Sequence, residues 1–506
     1  MKRILFTACA FASTATISAA PPTLDYFYPA GGKVGTEVEV TFAGKMDPWP
    51  AKAWSSNSEV TFVADEKTKG KFTAKISAKA KPGPVLVRVH NPEGVSPARI
   101  FVVGSAAEIS EDAKEKHSAL STSQKLEQPM PLTVNGKVAG RNEVDFYTVS
   151  LKKGQTLHAL VDGYAIKSLM DPMLHLYGPN GGRIRVAHDG PVNLDPRFSF
   201  PVPAEGDYSV GVAAIGHPPN ANVHLHGANS AVYRLYLATD PKSIPAHLQP
   251  VSDPDSPKPA EGKPLAPPFE FVSTLTKQHT PERIAIATKK GDKFRVKVEA
   301  FTLGFATDPV LRIFKPDGVL LREIDDVKPN RDAEYPLAIS LEGDWSIEVA
   351  DRFGRAGGDI RYRLSVQPQV PDFSATTDKA DYVVEAGGEA EAKVTVTRVF
   401  GDTATLKIEV KGLPAGVETE IAEVPEKTGP VSVKLKAKPD TKPFSGPIQF
   451  VVSEPEGEEK RERVAVFSFQ DKDARGPYLI DEVTDLWLTV TAKAEEKKEG
   501  DAAAKK

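Results

Sequence analysis

Residues 152–163 read KKGQTLHALVDG, residues 169–182 read LMDPMLHLYGPNGG, and residues 204–212 read AEGDYSVGV. The same pattern returns from Lys289 onward as KKGDKFRVKVEA, ATDPVLRIFKPDGV and LEGDWSIEV. The offset between Lys152 and Lys289 recurs at every matched position, in strand-like and turn-like stretches alike. A constant offset through both kinds of segment indicates that a whole folded unit was duplicated.

Short stretches of alternating polar and apolar residues indicate the secondary structure. Examples are Thr36–Phe42, Lys393–Val399 and Thr405–Val410, in which every second residue is apolar. A period of two is typical of a strand with one buried face. The 43 prolines and 38 glycines interrupt the 506 residues often enough for short strands and tight turns. A chain of this length suits domains of about 100–150 residues each. We therefore predict an all-β fold, a tandem array of four β-sandwich domains, Ig-like and jelly-roll-like.

The composition excludes some classes of partner. The chain is 40% hydrophobic and 26% charged, with a net charge of −4. No overall basic field exists to hold nucleic acid or an anionic membrane. We therefore expect no nucleic-acid partner.

The N-terminus has the features of an export signal. Lys2 and Arg3 precede an apolar run over Ile4–Ile17, followed by small residues up to Ala20. The run is shorter than the roughly 20 residues of a membrane-spanning helix, so we predict no transmembrane segment. Cys9 is the sole cysteine and lies inside this signal. The predicted mature protein is exported to the periplasm, cell surface or medium and folds without disulfides.

The first copy of the duplicated unit carries a set of short motifs. They are Asn135-Gly136-Lys137-Val138, Asp145-Phe146-Tyr147, Lys153-Gly154-Gln155, Asp171-Pro172-Met173-Leu174, His188-Asp189, Asp195-Pro196-Arg197-Phe198 and Gly206-Asp207-Tyr208. In this order they resemble the bacterial pre-peptidase C-terminal domain. The resemblance implies a jelly-roll-like β-sandwich that is appended to secreted enzymes and surface proteins. The second copy departs from the pattern where Pro281–Ile284 replaces Val144–Tyr147.

The flanking regions resemble other β modules. Tyr28–Gly32, Phe42–Gly44 and His90–Ser96 are similar to the IPT/TIG immunoglobulin-like module, and Lys411–Val417 resembles a turn of bacterial Ig-like modules. The whole order resembles exported multi-domain β proteins of planctomycete type. The predicted boundaries begin with a signal peptide at 1–20, an IPT/TIG-like domain at 21–104 and a linker at 105–131, which can accommodate one helical turn over 109–116. Two pre-peptidase-like sandwiches follow at 132–240 and 269–370, joined by a proline-rich linker at 241–268. An Ig-like sandwich at 371–493 and a disordered tail at 494–506 end the predicted order.

Six aspartates form the most interesting candidate site. They fall at equivalent loop positions of the two copies: Asp171, Asp189 and Asp195 in the first, and Asp308, Asp326 and Asp332 in the second. Such carboxylates could gather Ca²⁺, which takes six to eight oxygen ligands. The favoured alternative is that each one caps a turn by accepting backbone N–H bonds. Glycosidase chemistry by paired carboxylates is the least favoured interpretation.

Two further sets of residues are weaker candidates. His224 and His226 are two apart and could bind Zn²⁺ or Cu²⁺, although a solvated loop is the favoured interpretation. Trp49 and Trp54 could form a sugar-stacking platform, although packing against the protein is favoured.

The sequence contains no Gly-x-Ser-x-Gly, no His-Glu-x-x-His and no Walker motif. We therefore predict a non-catalytic protein with a binding or structural role, whose partner is an envelope or extracellular polysaccharide or another protein. No cofactor is required by the sequence, and Ca²⁺ at the six aspartates is the one it allows. The rival hypotheses are a secreted hydrolase, or an accessory part of one, with an inter-domain site, and a mechanical spacer.

Overall fold

The computed structural model describes residues 20–112, 116–190, 195–216, 225–245, 248, 263–303, 305–327, 331–358, 360–456, 460–473 and 476–493. The predicted signal, except Ala20, and the predicted tail lie outside the described residues, as does His224. The described chain is built from largely antiparallel sheets, which confirms the all-β tandem array. Short 3₁₀ turns accompany them at Leu120–Thr122, Pro241–Ser243 and Phe301–Leu303. No helix in the described part is long and apolar enough to span a membrane.

The first domain is a sandwich of two sheets. In spatial order, one contains β1 (Tyr26–Tyr28), β3 (Glu37–Ala43), β6 (Lys71–Ile76) and β5 (Val60–Ala64). The other contains β2 (Gly31–Lys33), β9 (Arg99–Gly104), β7 (Gly83–Asn91) and β4 (Lys52–Ser55), with β8 (Gly94–Val95) beside β7.

The second domain has two five-stranded sheets. One runs β10 (Ala107–Ser110), β12 (Leu132–Lys137), β19 (Val232–Ala238), β14 (Thr156–Asp162) and β17 (Arg197–Pro201). The other runs β11 (Gln124–Lys125), β13 (Asp145–Leu151), β18 (Gly206–Gly216), β15 (Met170–Tyr177) and β16 (Arg183–Ala187).

The third domain repeats this order without counterparts of β10 and β11, the first strand of each sheet. Its sheets are β20 (Phe269–Thr274), β27 (Arg361–Pro368), β22 (Lys293–Glu299) and β25 (Ala333–Ala338), and β21 (Glu282–Ile286), β26 (Trp345–Asp351), β23 (Pro309–Phe314) and β24 (Leu320–Ile324). Even an irregularity is shared. The register shifts at Leu176/Tyr177 in one domain and at the equivalent pair, Ile313/Phe314, in the other. The sequence repeat therefore corresponds to a repeat of topology.

The fourth domain is again a sandwich of two sheets. One contains β28 (Asp372–Thr377), β30 (Glu389–Val399), β33 (Gly429–Ala437) and β32 (Val417–Ile421). The other contains β29 (Asp381–Glu385), β38 (Leu486–Thr491), β34 (Phe444–Ser453) and β31 (Lys407–Lys411), with β35 (Glu462–Val464) on β34. A hairpin of β36 (Phe467–Asp473) and β37 (Gly476–Val483) completes the chain's strands in the described residues.

Alternation places one face of each strand in a core. In β33, Val431, Val433 and Leu435 are buried, and the residues between them are partly exposed. Each fully buried side chain of this kind contributes about 1.5–3 kcal/mol relative to an exposed one.

Part of the segment predicted as a linker, 105–131, belongs to the second domain. Ala107–Ser110 pairs in parallel with Leu132–Asn135, and Gln124–Lys125 pairs in parallel with Tyr147–Thr148. The helical turn that the sequence allows from residue 109 does not form at its start, because Ile109 and Ser110 lie in β10. Pairing with an open sheet edge satisfies the backbone N–H and C=O groups of this segment, and this outweighs its weak local preference for a helical turn.

The first domain contacts both the second and the fourth. Ile166 and Val232 of the second domain pack into the core of the first. Trp54 lies edge-on to Trp487 of the fourth domain, with ring centroids 5.7 Å apart. The His90 ring lies 5.0 Å from that of Trp487. The chain therefore folds back so that its first and last sandwiches touch.

Candidate cation sites

Asp195 and Asp332 perform the same structural task in the two repeats. Asp195 accepts N–H bonds from Gly163, Tyr164 and Ala165 at 2.7–2.9 Å. Asp332, its equivalent in the second repeat, accepts them from the residues that follow β22, namely Ala300, Phe301 and Thr302, at 2.8–3.2 Å. Both carboxylates are buried. For these two positions the geometry favours the turn-capping interpretation.

Asp171 and Asp189 lie together in the second domain, with His188 between them. His188 Nε2 is 3.4 Å from Asp171 Oδ1, and His188 Nδ1 is 3.5 Å from Asp189 Oδ1. Asp171 lies in β15 and is 3% exposed. Asp189 lies in the loop after β16 and is about half exposed. One ligand atom from each of the three residues lies within 4.8 Å of the other two.

The third domain has the matching cluster, with one chemical difference. Asp308, Asp325 and Asp326 each offer an oxygen within 4.8 Å of the others. Asp325 stands where the first repeat has His188, and it forms an ion pair with Arg352. Burial raises the pKa of Asp308, and the neighbouring Asp326 adds to this effect. The third-domain cluster therefore offers oxygen ligands alone, the set that Ca²⁺ prefers.

Of the weaker candidates, only some side chains can be placed. His226 donates its backbone N–H to Ala214, and within the described residues it belongs to no group of three metal-ligating atoms. The histidine hypothesis stays a prediction, because His224 is outside the described part. Trp49 packs edge-on against Phe72 at 5.4 Å and donates from Nε1 to the Asp65 carbonyl. Trp54 packs against Trp487, so Trp49 and Trp54 are each partly buried by contacts with other side chains.

The structure contains a third cluster of potential metal ligands that was not predicted from the sequence. Glu111, His117 and Asp145 also place three ligand atoms within 4.8 Å of one another. Two of these residues come from the segment predicted to be a linker, so no spacing rule connected them with Asp145. The only signal was a histidine six residues after a glutamate in a polar stretch.

The comparison with family models gives one match. Residues 143–214 match the bacterial pre-peptidase C-terminal domain. This stretch begins two residues before β13 and ends in β18, and the match supports the resemblance for that unit. The search of curated proteins finds no match.

Three solved structures have some similarity to the chain. They are the surface-layer protein SbsC, domains 1–6, the M60 catalytic domain with two CBM51 domains from Clostridium perfringens ZmpB, and the N-terminal eight Ig domains of Down Syndrome Cell Adhesion Molecule. Each is 10% identical, with TM-scores of 0.15, 0.14 and 0.15. They cover 92%, 72% and 89% of this chain, which in turn spans 45%, 56% and 73% of theirs. With such scores these likenesses carry no argument about function.

Proposed function

We propose that this is an exported, non-catalytic array of β-sandwiches with a binding or structural role at the cell envelope or outside the cell. The partner is an envelope or extracellular polysaccharide, or another exported protein, and Ca²⁺ orders the contact loops. The match of residues 143–214 to a bacterial domain supports the first repeat as a module of this kind. We also propose that the first domain is an IPT/TIG-like module.

The observation that carries the proposal is the equivalent placement of two clusters of potential cation ligands. Asp171 lies in β15 and not in a loop as the sequence suggested; it comes together with Asp189 after β16, just as Asp308, directly before β23, comes together with Asp326 after β24, at equivalent places of two sandwiches that share a topology. Loops on a rigid scaffold are where binding residues concentrate. Two similar sites on one chain can engage a repetitive surface together, which raises the apparent affinity beyond that of either site.

Removal of the exposed aspartates tests the calcium part of the proposal. A ligand that binds only the native state stabilises it by about 2.7 kcal/mol at a hundredfold excess over Kd. For domains of this size that corresponds to a rise in Tm on the order of 10 °C. We expect the wild-type chain to show such a rise when Ca²⁺ replaces chelator in calorimetry, and the Asp189→Ala/Asp326→Ala variant to lose it.

The matched control is Asp207→Ala/Asp344→Ala. These two exposed aspartates also occupy equivalent positions of the two repeats but lie outside the clusters. The control should keep the full Ca²⁺ response. A wild-type Tm that is indifferent to Ca²⁺ would remove calcium from the proposal. Sedimentation of the protein with insoluble cell-wall polysaccharide, with Ca²⁺ and with chelator, then tests the partner separately.

A cleft of about 460 Å³ between the third and fourth domains is a candidate place for the rival hydrolase activity. Its carboxylates are engaged in ion pairs. Glu334 accepts two bonds of 2.7 Å from Arg295, and Asp372 accepts two from Arg463 at 2.9 and 3.0 Å. Burial acts to raise the pKa of Asp372, but Arg463 outweighs it and the pKa is lowered. A general acid needs the opposite shift, so the cleft favours binding over acid–base chemistry.

A further inference from the structure

A cluster of buried ionisable groups lies where the segment 105–131 meets the second domain. Glu111 Oε2 is 3.8 Å from His117 Nε2, and His117 Nε2 is 3.9 Å from Asp145 Oδ1. The Asp145, His117 and Glu111 side chains are only 1%, 9% and 8% exposed. Water therefore has little access to charges that would normally be solvated, and burying them without compensation is costly.

The surroundings add negative charge. The Glu143 carboxylate acts on both Glu111 and Asp145, and Lys137 acts on Glu111 with the opposite sign. Burial raises the pKa of Asp145 to about 8 and that of Glu111 to about 7. In their charged forms the three carboxylates would repel one another, and a bound cation would offset that repulsion.

The hydrogen bonds leave one carboxylate oxygen directed into this space. Asp145 Oδ2 accepts a bond of 2.7 Å from the Tyr233 hydroxyl, which in turn lies 2.6 Å from that of Tyr147. Asp145 Oδ1 has no hydrogen-bond partner among the described residues and faces His117. Glu111 Oε2 accepts the Lys137 N–H at 3.1 Å, which holds its side chain in place. An almost fully buried oxygen without a donor indicates a ligand at this point.

We propose that Glu111, His117 and Asp145 bind a divalent transition-metal ion, with zinc as the preferred ion. Edges of 3.8 and 3.9 Å fit three atoms that surround an ion about 2.2 Å from each, within the range of zinc ligands. An imidazole nitrogen in a buried set favours zinc over calcium, which selects oxygen. The role is structural, since the ion joins Glu111 and His117, from the segment predicted to be a linker, to Asp145 at the start of β13.

The second repeat provides an internal contrast. Glu282 occupies the position equivalent to Asp145, but there the Ser273 hydroxyl donates to Glu282 Oε2 at 2.7 Å. Asp145 Oδ2 likewise accepts a bond from Tyr233, but Glu282, unlike Asp145, belongs to no group of three metal-ligating atoms within the described residues. This makes Glu282→Gln a matched control for Asp145→Asn.

The test is a calorimetric titration of the mature, chelator-stripped chain with ZnCl₂, MnCl₂ and CaCl₂. We expect one tight zinc site in the wild type, weakened at least a hundredfold in His117→Gln and Asp145→Asn. Asparagine retains an acceptor for Tyr233, so that variant should keep its fold. Glu282→Gln and His226→Ala should bind as the wild type does. X-ray absorption of the zinc-loaded wild type should show one imidazole with oxygen ligands, which tests the site without relying on a variant.

Three results would overturn the proposal: no zinc or manganese binding by the wild type, equal binding in His117→Gln and Asp145→Asn, or loss of zinc in His226→Ala alone. A site that takes calcium and ignores His117→Gln would also contradict it. The calcium response of the exposed aspartates is measured with other variants, so the two proposals fail independently.

Discussion

At the scale of single residues, chemically identical aspartates have different tasks. Asp332 accepts three backbone N–H bonds and is 3% exposed, whereas Asp326, six residues earlier, is exposed. A carboxylate that satisfies the amides of a turn fixes the path of the chain. Its exposed neighbour is available to solvent and ions.

Replacing Asp332 by Ala should therefore destabilise the third domain. The backbone N–H groups of the turn lose their acceptor, and each buried group left unsatisfied costs about 1–3 kcal/mol. We expect a loss of at least that size in urea unfolding followed in the presence of chelator. Asp326→Ala under the same conditions should change the stability by no more than about 0.5 kcal/mol. Equal effects of the two substitutions would contradict the distinction.

At the scale of elements, β10 is held to the second domain by a buried ion pair. Arg234 donates to the two Glu108 oxygens at 2.8 and 3.1 Å, and the two side chains are 5% and 7% exposed. The Arg234 guanidinium also fills the space beside Gly31, where a Cβ atom would lie 1.5 Å from Nη1. The pair thus links the first domain, β10 and β19 at one point.

Breaking this pair from one side should be costly, because it leaves a buried charge without compensation. We expect Arg234→Met to cost about 3–5 kcal/mol in urea unfolding. The double variant Glu108→Gln/Arg234→Met should recover much of that loss. The control is Arg295→Met, which removes a partly exposed ion pair whose arginine side chain is 45% exposed and should cost no more than about 1 kcal/mol. A double variant as unstable as the single one would show that packing, not charge, dominates.

At the scale of the whole molecule, the contact between the first and fourth domains closes the array. Arg88 is 2% exposed and Trp487 is 1% exposed, although both lie on the outer faces of their sandwiches. A mechanical spacer of linker-separated sandwiches, one of the rival hypotheses, would leave these faces in water.

The contact should depend on pH through His90. Burial, with a contribution from Lys52, lowers the pKa of His90 to about 4. The histidine of the unfolded chain has a pKa of about 6.5 and therefore binds a proton at higher pH than His90 of the folded chain. The stability that neutral His90 contributes is thus complete above pH 6.5 and is lost as the pH falls from about 6.5 towards 4. Between pH 7 and 5 we expect a loss of about 1 kcal/mol after allowance for solvent screening.

His90→Gln should remove this part of the pH dependence, and His279→Gln, in an exposed turn of the third domain, should not. Thermal unfolding at pH 5 and pH 7, combined with the radius of gyration from small-angle scattering, measures the effect. A profile that is the same in the wild type and His90→Gln would show that this histidine plays no part in the contact.

The all-β class and the duplicated unit could be predicted from the amino-acid sequence, because alternation and turn residues are local properties that are visible over a few positions. The aspartates could also be placed at equivalent positions of the two copies. Which of them cap turns and which gather became clear only from the folded chain, since Asp195 and Asp171 differ in the groups that distant strands bring to them. The same applies to Glu111 with Asp145, and to Trp487, which another domain covers. Contacts between residues far apart in the chain have no periodic signature, and their geometry exists only once the sheets have packed.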